Sequence, residues 1–128
     1  MKRFALVLVF VSCLLSAAQA VTMPTGLVFT ETKWTVETEG TQTTLYTLKV
    51  TLKNTTKAIT YASVTVDTSI LYRADQRKHS SSTQSVSNLQ PGDSWQFVAI
   101  RCRTRKGEDF NKKYYARIDK VTAYKDGS

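Results

Sequence analysis

From residue 46 to residue 53 the chain alternates without a break. Tyr46, Leu48, Val50 and Leu52 fall on one parity, and Thr47, Lys49, Thr51 and Lys53 on the other. Side chains of an extended strand point to opposite faces with period two, so this pattern buries one face and wets the other. A helix would need its apolar residues every three to four positions. The same rule reads a second strand over residues 58–68, with Ala62, Val64 and Val66 opposed to Ser63, Thr65 and Asp67. Asn54-Thr55-Thr56-Lys57 is a turn between the two runs, and the pair is expected to form an antiparallel hairpin.

The rest of the chain has the same character, rich in Thr, Ser, Val and Tyr, which fit a pleated, half-buried surface. Residues 27–37 form a strand that carries Phe29 and Trp34 and turns at Glu39-Gly40-Thr41. Ile70-Leu71-Tyr72 is a short element that ends in a polar loop, 73–78. Residues 80–86 make an edge strand, and Asn88-Leu89-Gln90-Pro91-Gly92-Asp93 is a strong turn, because Pro fixes φ and Gly permits positive φ. Residues 94–104 and 114–124 are two further strands, separated by a charged loop over 105–113. About seven short strands in about a hundred residues predict an all-β, immunoglobulin-like antiparallel β-sandwich. A jelly roll or small barrel is the alternative arrangement.

The first twenty residues do not belong to this pattern. Lys2 and Arg3 precede an apolar run over 4–15 broken only by Ser12 and Cys13, and Ala18-Gln19-Ala20 is the small-x-small pattern of a signal-peptidase site. The apolar run is shorter than the roughly 20 residues of a membrane-spanning helix. The expectation is a cleaved signal peptide, 1–20, and one domain, 21–128. The product is secreted or extracellular, or periplasmic in a bacterium, with no transmembrane segment after cleavage.

Loss of Lys2 and Arg3 from the 18 basic residues, against 10 acidic ones, leaves a net charge of about +6. A basic exported domain meets polysaccharide or other anionic surface polymers, and export removes nucleic acid as a target. Cys13 leaves with the leader, so Cys102 is alone and no disulfide forms within the chain. The fold therefore rests on its apolar core, with Cys102 either buried in it or pairing between chains.

No pattern of catalytic residues is present. His79 is the sole histidine and lies in a Ser-rich loop. There is no Gly-rich phosphate loop and no cysteine or histidine pair at metal-ligand spacing, so no enzyme activity, metal or cofactor is expected. The informative stretch surrounds Cys102. Arg101, Arg103 and Arg105 share one strand face and Ile100, Cys102 and Thr104 the other. An arginine row suits carboxylate, sulfate or phosphate, which the guanidinium fork binds with two hydrogen bonds. It is equally the charged guard of a sheet edge. The same strand contains a conflict. If Val98, Ile100 and Cys102 face the core, Trp95 and Phe97 face outward; if Trp95 and Phe97 are core, as Trp and Phe usually are, Arg101 points inward unless a bulge intervenes. An outward Trp95 would give sugar rings a flat face to stack on. Trp34 and Tyr72 are the other stacking candidates. Asn54-Thr55-Thr56 is also a glycosylation sequon.

Two stretches resemble a known family. They are Val50-Thr51-Leu52-Lys53-Asn54-Thr55-Thr56 with Tyr61-Ala62-Ser63-Val64-Thr65-Val66, and Ile70-Leu71-Tyr72-Arg73-Ala74-Asp75 with 86–97, which contains Leu89-Gln90-Pro91-Gly92. Together they look like the FxLYD-type secreted immunoglobulin-like domains, departing from that pattern at Arg73 and Gln76. The resemblance implies fold and export and no ligand. A second set is Trp34, Gly40, Leu45-Tyr46, Val50-Thr51, Lys53-Asn54 and Leu89-Gln90-Pro91-Gly92, followed by Phe97 and Ile100. It is similar to the family 49 cellulose-binding modules, which implies polysaccharide binding through exposed aromatics. The expectation is a secreted, non-catalytic module that binds carbohydrate or cell-wall material. Trp34, Tyr72 or Trp95 would stack on sugar, and Arg101, Arg103 and Arg105 would attract it. The alternatives are an extracellular protein-interaction or structural domain, and a small protease inhibitor presenting 105–113. Weak membrane or lipopolysaccharide binding through the basic face is a further one.

Overall fold

The computed structural model describes residues 4–8 and 21–127. The charged start of the expected leader, Cys13 and its Ala18–Ala20 end lie outside the described residues. The elements in chain order are β1 (Phe4–Leu8), β2 (Leu27–Glu39), β3 (Thr43–Asn54), β4 (Tyr61–Tyr72), β5 (Lys78–Leu89), β6 (Ser94–Arg105), α1 (Phe110–Lys113) and β7 (Tyr114–Lys125). Six long strands form two sheets, β2-β3-β6 and β5-β4-β7, and the short β1 extends the first along β2. Every pairing is antiparallel. The domain is an all-β sandwich of the immunoglobulin-like kind.

The alternating residues do what their period requires. Leu48, Val50 and Leu52 of β3 and Val64 and Val66 of β4 meet in one core, each with 0% exposure. The chain does not turn back on itself between them, however. β3 pairs with β2 and β6, whereas β4 pairs with β5 and β7, so the expected hairpin is replaced by a crossing from one sheet to the other. Asn54 explains the crossing. Its backbone N–H donates to Asp93 O at 2.9 Å and its side-chain Nδ2 to Ile59 O at 2.8 Å, which bends the chain away from a tight turn. Thr55 N–H donates to Gly26 O at 2.7 Å, and Gly26 sits at φ 73°, where an added Cβ would come within 2.3 Å of Thr56 Cγ2.

Ile70-Leu71-Tyr72 is not a separate element. Thr68 and Ser69 contain no breaker and stay extended, so β4 runs through to Tyr72 with bulges near its start and opposite Asp67–Thr68. Residues 80–86 form the middle of an edge strand, as the sequence predicts. The charged 105–113 loop holds one helical turn, α1, whose Asp109 side chain accepts from Asn111 N–H. That turn inserts Phe110, 1% exposed, between Trp34 and Tyr114.

The conflict in β6 is settled by a bulge. Leu48 pairs with Ile100 and Lys49 with Val98, which leaves Ala99 as the extra residue. Ala99 and Ile100 are both buried, at 1% and 3% exposure. Trp95 and Phe97 therefore face inward before the bulge, and Ile100, Cys102 and Thr104 face inward after it.

Candidate functional site

The bulge also sets where the arginines point. Beyond Ala99, the outward parity of β6 falls on Arg101, Arg103 and Arg105, and all three are exposed. Cross-strand neighbours complete the face. Arg101 lies beside Thr47 and Thr35, Arg103 beside Leu45 and Glu37, and Arg105 beside Thr43 and Glu39. Leu45 and Thr47 are only 7% exposed although they sit on the outer face. Arg101, Arg103, Lys49, Thr47, Glu37 and Glu39 border a shallow depression of about 380 Å³.

This face is less uniformly positive than the spacing implies. Arg103 Nε donates to Glu39 Oε1 at 2.9 Å, and Glu39 is the better shielded partner. Arg101 and Arg105 make no ion pair among the described residues. The row therefore offers two unpaired guanidinium groups flanking one that a carboxylate already holds. Lys113, also in the basic region of the sequence, lies 3.4 Å from Glu108, which raises the pKa of its ammonium, with Tyr114 adding to the effect.

The three stacking candidates have different fates. Trp34 is 4% exposed and packs against Phe110 with ring centroids 5.1 Å apart, so its indole has no free face for a sugar. Its inward parity on β2 puts it opposite Leu48. Trp95 is half-buried, with one face stacked on Phe97 at 4.1 Å. Tyr72 is half-buried at the end of β4, with the Arg77 guanidinium 4.8 Å from its ring centroid. The structure does not bring any of them into the arginine depression.

Sequence reasoning missed the surroundings of Tyr72. The β4–β5 turn folds His79 back so that Tyr72 Oη and His79 Nδ1 lie 3.0 Å apart, and the His79 and Tyr114 rings are 4.8 Å apart. Lys113 approaches the Tyr114 ring at 5.5 Å and Arg73 that of Tyr115 at 5.6 Å. His79 thus belongs to a cation-and-aromatic cluster at one end of the sandwich. The only hint was its placement seven residues after Tyr72 across a polar loop.

The structure buries the sequon residue Asn54 at the junction of the two sheets. Its side chain has 0% exposure, Nδ2 donates to Ile59 O and Leu89 O, and Oδ1 accepts from Thr56 N–H and Thr56 Oγ1. An amide nitrogen that is buried and already donates twice has no room for a glycan, so the sequon residues serve as a clamp. Cys102 faces the core, 7% exposed, where burial and the nearby Glu108 carboxylate raise the pKa of its thiol. Among the described residues, no three His, Cys, Asp or Glu side chains converge as a metal site, and no helix is long and apolar enough to cross a membrane.

No family model, curated protein or solved structure matches the chain.

Proposed function

We propose that this chain is an exported, non-catalytic binding module that holds carbohydrate or cell-wall polymer carrying anionic groups. The supporting observation is the exposed row of Arg101, Arg103 and Arg105 along one open sheet face. Alternate residues of a strand are spaced by about 6.6 Å, so the row presents cations at regular intervals. An open sheet face of this kind can take an extended polymer along its strands. Trp34 has no part in this reading, because its ring is buried. Half-buried Tyr72 and Trp95 remain as outlying aromatic contacts. Export rests on the basic and apolar leader and its Ala18–Ala20 end. The resemblances to FxLYD-type domains and to family 49 cellulose-binding modules point the same way.

The test is retention of the purified protein on insoluble polymers with and without acidic groups, at low and high salt. Binding to acidic polymers alone, lost with salt and weakened in Arg101→Ala and Arg105→Ala, supports the reading. Salt-resistant binding to neutral cellulose would replace the arginine row with an aromatic platform. No retention on any polymer would sink it.

One observation favours a second reading, a protein-interaction domain. Residues 4–8 pair antiparallel with residues 34–38 along the free edge of β2. Removal of a leader ending at Ala20 would bare that edge, and a bare edge accepts an extended segment of a partner. Concentration-dependent self-association of the processed chain, abolished by a proline at Thr35, is the outcome that separates this reading from the first.

A further inference from the structure

Between β5 and β6, where the free edges of the two sheets come together, a cleft of about 400 Å³ opens beside the arginine face. That volume lies in the lower part of the roughly 300–1,000 Å³ range of small-molecule sites. Its lining is unusual for the space between two sheets. Ser82 and Gln84 pair with Thr68 and Val66, so they share the inward parity of β4, and Ser80 does the same opposite Ile70. An inward strand face normally carries apolar residues, yet β5 presents two hydroxyls and an amide there. Ile70 and Ile100 give the cleft an apolar side, and Arg101 borders its mouth.

The second observation is Thr68. It lines the same cleft, is 1% exposed, and its Oγ1 has no hydrogen-bond partner among the described residues. A buried hydroxyl without a partner is costly, and valine would fill the same space without that cost. An unpartnered hydroxyl beside Ser80, Ser82 and Gln84 is suited to a ligand with several hydroxyls. The arginine at the mouth suits a carboxylate on that ligand.

The geometry points to this cleft as a subsite for a single acidic sugar residue, a uronic acid unit, with its ring hydroxyls on Thr68, Ser80, Ser82 and Gln84 and its carboxylate on Arg101. The inference deepens the proposed polymer-binding role. Arg101 also borders the outer depression, so a chain lying along the arginine row could turn one residue into the cleft. An added peptide strand fits worse. The free edge of β6 is interrupted here by the Ala99 bulge, and that of β5 by the irregularity between its Lys78 and Ser80 pairings. Bulges break the regular ladder that strand addition needs.

The experiment is an amide-resolved NMR titration of the purified protein with D-glucuronate and, as neutral control, methyl glucoside. The expected result is saturable shifts confined to Thr68, residues 80–84 and residues 98–101, with glucuronate about tenfold tighter. Thr68→Val and Ser82→Ala each weaken it about three- to tenfold while leaving the fold intact. Arg101→Gln removes the preference for the acid. Arg105→Ala leaves glucuronate binding unchanged and weakens polymer retention. Absence of saturable shifts, or unchanged affinity in Thr68→Val, overturns the subsite; persistence of polymer retention would then show that this inference alone has failed. Glucuronate binding in a protein that no polymer retains would sink the polymer reading and leave the cleft. Shifts in the same amides with an extended peptide and none with glucuronate would assign the cleft to a protein partner and overturn the proposal.

Discussion

Asn54 Nδ2 donates to the carbonyl of Leu89 at 3.1 Å, joining residues 35 positions apart at the junction of the two sheets. The backbone repeats the connection, because Gly92 N–H donates to Asn54 O at 2.8 Å and Asn54 N–H to Asp93 O at 2.9 Å. The end of β3 and the Pro91-Gly92 turn before β6 are therefore one unit, and the start of β6 is held in register against β3.

Asn54→Ala leaves the Leu89 and Ile59 carbonyls without the amide that serves them. An unpaired buried group costs about 1–3 kcal/mol, so the variant is expected to lose about 3 kcal/mol, read as a lower urea midpoint at unchanged slope. In a eukaryotic secretory host, the intact mass of the exported wild-type protein should show no N-glycan at Asn54. A glycosylated, folded product would show that the clamp is dispensable.

The Ala99 bulge makes a sharper prediction. Deleting Ala99 puts Trp95, Phe97, Ile100 and Cys102 on one parity, so a regular strand keeps all four inward and the bulge disappears. The deletion is therefore expected to keep a sigmoidal thermal transition, at a midpoint lowered by loss of the buried Ala99 methyl. Ala99→Gly keeps the extra residue and should fold, at a cost of about 1 kcal/mol for the added backbone freedom. A deletion variant that fails to fold would show that the bulge itself shapes β6 for the core.

These two cases mark what the sequence could show. Strand positions were legible because burial on one face imposes period two, and the clash of parities between Phe97 and Ile100 was itself the sign of a bulge. Strand pairing was not legible. Whether β4 turns back on β3 or crosses to the other sheet depends on Asn54 meeting Leu89 and Asp93, which are remote in sequence and carry no local mark. The arginine row was legible as a face, whereas its partner was not, because Glu39 and Arg103 are 64 residues apart. Trp34 and Trp95 look alike by composition. Trp34 is buried because α1 delivers Phe110 onto it, and the sequence reads that segment as a charged loop.

Tyr61 gives the pH dependence. Its ring is buried and its hydroxyl donates to Thr25 O at 2.6 Å, and burial raises its pKa above the ordinary 10.0. The unfolded chain then loses this proton more readily than the folded one. The stabilisation is complete below pH 10 and declines as pH rises through the folded-state value. Unfolding free energy should therefore fall above pH 10. Tyr61→Phe should lose about 1 kcal/mol at neutral pH with the hydrogen bond, yet fall less steeply in alkali. Equal slopes in the two proteins would remove Tyr61 as the source.

Glu39 is expected to oppose polyanion binding. It holds Arg103 at 2.9 Å and adds negative charge beside the row. Surface pairs of this kind contribute about 0.2–1 kcal/mol, so Glu39→Gln should change stability little and tighten retention on an acidic polymer about two- to fivefold. The gain should vanish at high salt. Weaker retention in Glu39→Gln would mean that Glu39 positions Arg103 for the ligand.

Trp34 separates a structural tryptophan from a sugar platform. Its Nε1 is buried without a hydrogen-bond partner among the described residues, and its ring packs on Phe110. Phenylalanine keeps an aromatic ring there and removes the unpaired donor, so lost volume and relieved desolvation oppose each other. Trp34→Phe is expected to stay within about 1 kcal/mol of wild type, whereas Trp34→Ala should cost about 3–5 kcal/mol through the cavity it leaves. Polymer retention of folded Trp34→Phe should match wild type. Retention lost in that folded variant would show that the indole is reached by the ligand, and the stacking role would return to Trp34.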